Sequence, residues 1–535
     1  MSIYVKELIV VLGLTIPLFA VAKSTALLFM DEGDFNRRRN IWLLLTCVAF
    51  LSPSFWLFVA CAAPVLYWGV RKDTNPIGFY LLLMTILPSI PIQIPPIGVK
   101  EIFPLDSFRL LSLCVLVPTA LRLRKTTDPQ RFKELKVMDV ALLGLGALQV
   151  LLFVPPNLPN HVILHNSLTN DLRAAFLFLI DVYVLYYVAS RSCSSRRKLR
   201  DALAAFCLSC ALMAIVAIFE ATKKWLLYTN IDSRWGGNLL LTEYYARGNM
   251  LRAQASSGQP LALGFLLVIG LGFWLYLQSH VKNSVVKVTV PSLLCAGLLV
   301  TFSRGPWLAA IVLFLAYAAL SPRGISRFFK AGIAVVLLAT TLLSSPLGTK
   351  ISGMIPFMGG KVGESSLTYR ERLFDRSWQL IEEHPIFGDQ LAFSHMQNLV
   401  QGQGIIDIVN AYIDVTLFYG FTGLACFLTF ILSALLKGYR VSRRLSDTAP
   451  DSALLGANLA AAIVAILVLL ADGSLGTGPK HLFYALIGLT GAYLILMSRQ
   501  KLALSGRRLT DTTDGLPLDA QRESLSSLKT LSNRC

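Results

Sequence analysis

The sequence predicts an all-α polytopic integral membrane protein, and two observations carry that prediction. Of its 535 residues, 55% are hydrophobic and only 15% are charged, a balance outside the range of soluble globular domains. The apolar residues also collect in repeated runs of about 17–25, the length that an α-helix needs to cross a bilayer. Because lipid offers the backbone no hydrogen-bond partners, and the runs are too apolar for barrel strands, the spans should be helices.

The formal net charge of +18 could suggest a nucleic-acid partner. Lys and Arg concentrate, however, in short loops between apolar runs, as the positive-inside rule requires of cytoplasmic loops. The three most basic loops read LRLRKTTDPQRFKELK, RSCSSRRKLR and KGYRVSRRLSD. We therefore expect these loops in the cytoplasm, the long loops on the opposite side, and no nucleic acid among the partners.

In chain order, the first predicted span covers residues 8–29. The apolar run 41–70 is interrupted at Pro53, which favours two short helices with a turn between them. Two helices would put the N-terminus outside, whereas one would put it inside. The later spans are predicted at residues 76–87, 109–121, 137–154, 172–189, 201–219, 261–277, 288–302, 307–320, 331–343, 412–436, 454–470 and 482–497. We expect about 12–15 transmembrane helices.

The chain divides into four predicted segments. They are the membrane helices 1–343 (with an outer loop 220–260), the large outer loop 344–411, the C-terminal membrane helices 412–498 and a disordered cytoplasmic tail 499–535. The tail is polar and lacks aromatic residues. Loops as long as 344–411 are uncommon unless they form lids or sites, and this one is too aromatic for disorder. We interpret this loop as the region that carries the functional site.

Within the large loop, apolar residues recur at helical spacing over residues 369–383. This periodicity predicts an amphipathic helix. We expect it to lie along the membrane surface with its apolar face inward. The residues expected on that inward face are Leu373, Phe374, Trp378 and Ile381.

One arginine, Arg304, lies between two apolar runs, flanked by Ser, Gly and Pro. A charge at the membrane boundary is costly unless it is paired or solvated, so it marks a functional candidate. The planar guanidinium suits phosphate and pyrophosphate. With the arginines of the outer loops, it predicts a pocket for a lipid-linked phosphate.

Four stretches together resemble the O-antigen ligase and Wzy-type polymerase superfamily. They are LRAQASSGQPLALGFLLV, LLVTFSRGPWLAAIVLFLAY, TYRERLFDRSWQLIEEHPIFG and DIVNAYIDVTLFYGFTGLACFL, within residues 245–435. The resemblance implies a GT-C-like glycosyltransferase of the bacterial inner membrane, with the large loop in the periplasm. Its donor would be a glycan on undecaprenyl pyrophosphate, and it would need no metal. Arg304 and Arg370 match the arginines that would neutralise the pyrophosphate leaving group; Arg252 and Arg372 are further candidates for the same group.

Members that act as ligases carry His-Asn at the end of the large loop, and the histidine is the expected base. Here the pair is Val409-Asn410. Asn410 stays a catalytic candidate, and the base that hydroxyl attack requires could be His395, Asp407 or Asp414. His384, in the His-Pro motif, is interpreted as structural. The missing histidine favours a polymerase over a ligase.

Three functions remain open from the sequence. The first is polymerisation of lipid-linked repeats, the second is ligation of a finished glycan to lipid A-core or another acceptor, and the third is transport or flipping of a polysaccharide. The third is disfavoured because no internal repeat is visible and only Asp181 is clearly mid-span. We expect Asp181 to pair with a neighbouring helix. The predicted partners are the lipid-linked glycan, the bilayer and a chain-length regulator or export complex.

Two short sequence patterns are weaker indicators of function. Cys207 and Cys210 form a CxxC inside an apolar run, where they are interpreted as small core residues. His161 and His165 have a spacing found in zinc sites but lack its acidic partner. We expect no metal site.

Overall fold

The computed structural model describes residues 2–86, 90–94, 103–126, 133–152, 168–236, 246–247, 250–321, 364–400 and 406–513. Within these ranges the chain is predominantly α-helical, which confirms the all-α class. The helices, α1 to α18 in chain order, are Ile3–Ala26, Glu32–Leu51, Phe55–Lys72, Pro76–Leu83, Ser107–Leu111, Val117–Thr126, Lys136–Leu151, Leu168–Phe178, Val184–Ser192, Arg196–Lys223, Thr229–Trp235, Pro260–Leu277, Ser284–Leu299, Arg304–Leu320, Glu364–Glu383, Ala411–Arg444, Pro450–Asp472 and Thr477–Thr513.

Two π-helical turns, Ser112–Leu116 and Leu179–Tyr183, continue α5 into α6 and α8 into α9. The short strands form two antiparallel pairs, β1 (Ile92–Gln93) with β2 (Pro104–Leu105) and β3 (Ala246–Arg247) with β4 (Met250–Leu251). The strands therefore only tie short loop segments together.

Seven helices of the described chain are long and apolar enough to cross a membrane. They are Ile3–Ala26, Leu172–Ser192, Arg196–Lys223, Pro260–His280, Ala411–Arg444, Pro450–Asp472 and Gly478–Gln500. Two shorter apolar helices are α13 and α14. The structure is thus that expected of a polytopic membrane protein. The total of 12–15 spans and the GT-C-like architecture stay predictions.

The run 41–70 forms two helices, α2 and α3, broken at Pro53 as the sequence favours. The turn between them lies beside the loop that follows α10. Trp235 Nε1 donates a hydrogen bond to the carbonyl oxygen of Ser52 at 3.2 Å, and Arg234 Nη1 donates to that of Phe50 at 3.1 Å. Asn230 binds the carboxylate of Glu7 on α1. The N-terminal end of α1 therefore lies at the same end of the bundle as the loop 220–260.

The basic loops meet at the other end of the bundle. Arg38 is fully buried there, 2.7 Å from Asp73 and 2.6 Å from Asp201. Arg200 forms an ion pair with Asp451, and Lys437 donates to the carbonyl oxygen of Glu134 at 2.7 Å. A buried charge is tolerated when it is paired and hydrogen-bonded in this way. Which end faces the cytoplasm stays a prediction from the distribution of basic residues.

Asp181 is buried and pairs across helices, as expected. Its carboxylate lies 2.9 Å from Arg109 and 3.3 Å from Lys480. Cys207 and Cys210 donate to carbonyl oxygens of α12 and are free thiols. These small side chains let α10 and α12 approach closely, as in many membrane helix pairs.

The C-terminal helix departs from prediction. α18 continues to Thr513, so the first part of the segment 499–535 is helical and not disordered. Its sequence QKLALSGRRL is rich in good helix formers and extends a helix that is already nucleated. Residues 514–535, the predicted span 331–343 and the pair His161 and His165 lie outside the described residues.

The helix predicted over 369–383 is present as α15 and begins earlier, at Glu364. Leu373 and Ile381 are buried. Phe374 and Trp378 are 49% and 45% exposed, and their rings stack with centroids 6.1 Å apart. The prediction that these two rings face inward was wrong. At about 100° per residue they lie on a flank of the helix, because the buried face is centred on Leu373, Ser377 and Leu380.

Candidate active site

The Ser-Arg-Gly motif forms a tight turn between α13 and α14. Phe302, just before it, has a φ of +48°, a left-handed conformation that is uncommon for a bulky residue. Ser303 is the N-cap residue of α14, and Arg304 is its first residue. A strained backbone persists only where the surroundings enforce it, and such positions cluster at functional sites. The turn therefore presents Arg304 at a rigid helix end.

Arg252, predicted to bind pyrophosphate, holds this turn in place. Its Nε donates to the carbonyl oxygen of Thr301 at 3.1 Å, and its Nη2 donates to Ser303 Oγ at 2.8 Å. The next residue adds a backbone bond, from Ala253 N to the carbonyl oxygen of Val300 at 3.0 Å. The described contacts thus give Arg252 the position of a support for the turn that carries Arg304.

A buried glutamate, Glu220, organises the loop that carries Arg252. Its carboxylate accepts backbone hydrogen bonds from Leu227, Gln254 and Ala255 at 3.1, 3.1 and 2.8 Å. It is only 1% exposed. Sequence reasoning missed this residue, although an acidic residue at the end of an apolar run was a visible signal.

Asp472, at the end of α17, brings the two predicted arginines together. Its Oδ1 lies 2.7 Å from Arg370 Nη1. A Cβ atom placed on Gly305 would be 1.7 Å from Asp472 Oδ2, so only glycine lets the carboxylate reach the Ser-Arg-Gly turn. Arg304 is close enough for its charge to interact with both Arg370 and Asp472. Asp472 is thus ion-paired with Arg370 and adjoins the turn that carries Arg304, at the end of the bundle where the N-terminus lies.

Asp407 stands beside this group. Tyr369 Oη lies 3.2 Å from its backbone nitrogen, which donates to the hydroxyl. Burial raises the pKa of Asp407, while the positive charge of Arg370 and a hydrogen bond from Ser474 partly oppose the rise. Asp414, in the first turn of α16, also interacts electrostatically with Asp407. Of the three predicted bases, Asp407 is the one whose charge interacts with that of Arg370.

His395 lies elsewhere on the loop. Its Nδ1 is 2.7 Å from Asp389 Oδ2, and its side chain is half exposed. The backbone oxygen of His395 accepts a hydrogen bond from Arg376 at 3.2 Å. Its described contacts join it to residues of the loop, whereas Asp407 is hydrogen-bonded to Tyr369, the neighbour of Arg370 in the chain, and its charge interacts with that of Arg370. Arg376 thus fastens α15 to the turn that carries His395.

Asn410 serves as the N-cap of α16. Its Oδ1 accepts hydrogen bonds from the backbone nitrogens of Tyr412 and Ile413 at 2.9 and 3.2 Å. This cap stabilises the helix start, typically by about 1 kcal/mol. The preceding Val409 packs against the apolar cluster under the loop helix. The structure therefore accounts for Asn410 by local geometry.

Arg372 is exposed on α15. Two residues along a helix correspond to a rotation of about 200°, so Arg372 lies nearly opposite Arg370 on the helix. The structure brings Arg304 and Arg370 together, places Arg252 behind Arg304, and leaves Arg372 on the other side.

The His-Pro-Ile-Phe-Gly turn docks onto a kink in α16. Gly388 and Gly420 have φ of +72° and +64°. A Cβ on Gly420 would lie 2.2 Å from the carbonyl oxygen of Ile386, and one on Gly388 would lie 2.5 Å from that of Leu417. Asp389 N donates to Leu417 O at 2.7 Å, and Phe421 N donates to Pro385 O at 2.8 Å. Two motifs that are separate in the sequence are therefore one structural joint between loop and bundle.

No group of three or more His, Cys, Asp or Glu side chains that could hold a metal ion occurs among the residues that the structure describes. Arg304 and Arg370 contribute positive charge at the site. Fixed guanidinium groups can stabilise a developing phosphate charge without a metal.

The fold and this site define a polytopic membrane protein with an arginine–carboxylate cluster at one end of its helices. Residues 289–428 match the family model described as Wzy_C: O-Antigen ligase. The match includes the Ser-Arg-Gly turn, α15 and the kink of α16, and it confirms the similarity to the O-antigen ligase and Wzy-type polymerase superfamily. Glu220, Arg252 and Asp472 lie outside it. No curated protein matches the chain.

Proposed function

We propose that this protein is a membrane glycosyltransferase that polymerises undecaprenyl-pyrophosphate-linked oligosaccharide repeats at the periplasmic face of a bacterial inner membrane. The observation that supports it most is the meeting of Arg370, from the loop, with the Ser-Arg-Gly turn of the bundle at Asp472. Two arginines from distant parts of the chain converge where a charged headgroup of a lipid-linked donor could reach them.

In this proposal the two guanidinium groups bind the pyrophosphate of the donor. The acceptor hydroxyl attacks the anomeric carbon of the donor sugar, a new glycosidic C–O bond forms, and the bond from that carbon to the pyrophosphate oxygen breaks. Negative charge then develops on the leaving oxygen, which Arg304 and Arg370 stabilise electrostatically. The proton of the hydroxyl passes to the carboxylate of Asp407.

Asp472 plays a different part in this scheme. It pairs with Arg370 at 2.7 Å and abuts Gly305. Its negative charge keeps two like charges close together when no donor is bound, since unpaired guanidinium groups would repel each other. The bound pyrophosphate would take over that role. We therefore assign Asp472 as a positioning residue for the arginine pair.

The second candidate function is ligation of a finished glycan to lipid A-core or another acceptor. The description of the matched family, O-Antigen ligase, favours it. Val409 in place of the histidine of the ligase His-Asn pair favours polymerisation. The leaving-group chemistry is the same in both, so the arginine site fits either.

Glycan gels of a deletion strain separate the two. A polymerase is indicated if long chains disappear while single repeats on the acceptor remain, and if the wild-type gene restores the long chains. Accumulation of long chains on the lipid carrier indicates a ligase instead. Unchanged glycans with an unchanged lipid-linked pool would contradict both.

A further inference from the structure

We propose that the large loop carries its own membrane anchor, an apolar patch that inserts at the boundary between lipid headgroups and acyl chains. The patch consists of Phe374, Trp378, Ile386, Phe387 and Leu391, each between 45% and 60% exposed. These residues occupy one flank of α15, the turn after it and the start of the next turn. Soluble surfaces rarely gather so many large apolar side chains.

The position of the patch identifies what covers it. On α16, the exposed apolar residues Phe421, Leu432 and Leu436 are separated by eleven and four residues, which puts them on one face of the helix. Because α16 is long and apolar enough to span a bilayer, that face contacts lipid. It forms the surface with which the loop patch is continuous.

Hydrogen bonds join the patch to the end of this lipid-facing stripe. Phe421 N donates to the carbonyl oxygen of Pro385 at 2.8 Å, and Thr422 Oγ1 donates to that of Ile386 at 2.8 Å. The backbone that carries Ile386 and Phe387 is therefore fixed beside Phe421, at the start of the lipid-facing stripe. An acyl chain packed along α16 would reach them at the membrane surface.

The polar groups around the patch place it at the interface and not in the hydrocarbon core. Trp378 Nε1 donates to Glu382 Oε1 at 2.6 Å, so its ring has an apolar body and a polar edge. Tryptophan of this kind is enriched at headgroup level. Arg372, Asp375 and Gln379 are exposed on the adjoining flank of α15, as in helices that lie in the interface plane.

Such an anchor has a consequence for the proposed function. Arg370 lies on the same helix as Phe374 and Trp378, and its guanidinium points to Asp472. An anchored α15 would hold Arg370 at the depth where the headgroup of a membrane-embedded donor lies. Only this consequence depends on the proposed function, whereas the anchoring itself does not.

The test uses the full-length chain with its nine cysteines replaced, one new cysteine, and an environment-sensitive NBD label on it. Phe387→Cys and Leu391→Cys report on the patch, and Gln379→Cys is the matched control on the polar flank. The labelled proteins are placed singly in nanodiscs of phosphatidylethanolamine and phosphatidylglycerol (3:1) that contain a lipid with a spin label near the top of its acyl chain. We expect quenching at least threefold stronger at 387 and 391 than at 379.

Equal quenching at all three positions would overturn the proposal, as would a patch label that stays water-exposed. Strong burial of the 387 label that appears only when two copies share a disc would make the patch an interface between copies, and would also overturn it. The three label positions are exposed, so the labels themselves do not disturb the core, the cysteine-free background is common to all three proteins, and labels at 387 and 391 check each other. No substrate is present, so the result is independent of the proposed chemistry.

Discussion

At the scale of single residues, the arginines carry the most specific expectation. Arg304→Lys and Arg370→Lys should each lower product formation about a hundred- to a thousandfold, because losing one such contact costs roughly 2.7–4 kcal/mol in the transition state. Lysine supplies a single charge where arginine supplies a planar fork. The measurement is polymer formed by purified protein from a lipid-linked repeat, at matched protein concentration.

Arg372→Lys is the control for that experiment. It lies on the same helix as Arg370 and is exposed, so it should keep nearly full activity. Near-normal product from Arg304→Lys and Arg370→Lys, or equal loss from all three variants, would contradict the proposal that these two arginines bind the pyrophosphate. Arg376 is unsuitable as a control because it binds the backbone of His395.

The identity of the base is a second expectation at this scale. Asp407→Asn should lower the rate about 10²–10⁴-fold, the usual contribution of a general base, while His395→Gln should keep most of the activity. A base works only when deprotonated, and burial raises the pKa of Asp407 above its ordinary 3.8. Activity should therefore be lost on acidification at a pH above that value. The pH profile of the initial rate measures it, and the acid limb should vanish from the residual activity of Asp407→Asn.

The opposite ranking would assign the role to the histidine. If His395→Gln removes activity and Asp407→Asn does not, the pair of His395 and Asp389 contains the base. That pair has the geometry of a histidine oriented by a carboxylate, at 2.7 Å. Loss in both variants with unchanged pH profiles would indicate structural roles for both residues.

At the scale of elements, the joint between the loop and α16 is the critical feature. Gly420 has φ +64° and ψ −167°, a backbone conformation open to glycine, and a Cβ there would lie 2.2 Å from Ile386 O. Gly420→Ala should therefore destabilise the protein by about 2–4 kcal/mol, from strain and collision together. The apparent midpoint of thermal unfolding in detergent should fall.

Gly13→Ala is the matched control for the joint. Gly13 is helical in α1 and has no atom within 4 Å of an added Cβ. Alanine there should keep or slightly raise the unfolding temperature, since it is the better helix former. A Gly420→Ala protein as stable as Gly13→Ala would show that the loop is not held through this joint.

At the scale of the whole molecule, labelling can test which end of the helix bundle faces the cytoplasm. Ser194 lies in a basic loop and Gln379 on α15, and both are exposed. Single cysteines at these positions should react oppositely with a membrane-impermeant maleimide in spheroplasts, with Gln379→Cys labelled and Ser194→Cys labelled only after lysis. The positive-inside rule is the physical reason. Labelling of Ser194→Cys before lysis would show that the orientation in the membrane is the reverse of the predicted one.

The amino-acid sequence by itself determined the features that depend on local pattern. Apolar run length predicted membrane helices, Pro53 predicted the break between α2 and α3, and periodicity predicted α15. Local pattern also singled out Arg304, because a charge at the membrane boundary stands out wherever the chain folds, whereas Arg370 was indicated by the resemblance to the O-antigen ligase superfamily. These signals need no knowledge of which helices are neighbours.

Only the tertiary structure decided which groups meet. Asp472 lies 102 positions from Arg370 along the chain, and nothing in the local sequence links the two. The same is true of Glu220 and the backbone of Ala255, and of Gly388 and Gly420. The outward orientation of Phe374 and Trp378 depended on where α15 packs, since an amphipathic pattern does not show whether protein or lipid covers each flank. Helix packing determines which of these groups come into contact, and the candidate site lies where the packed elements meet.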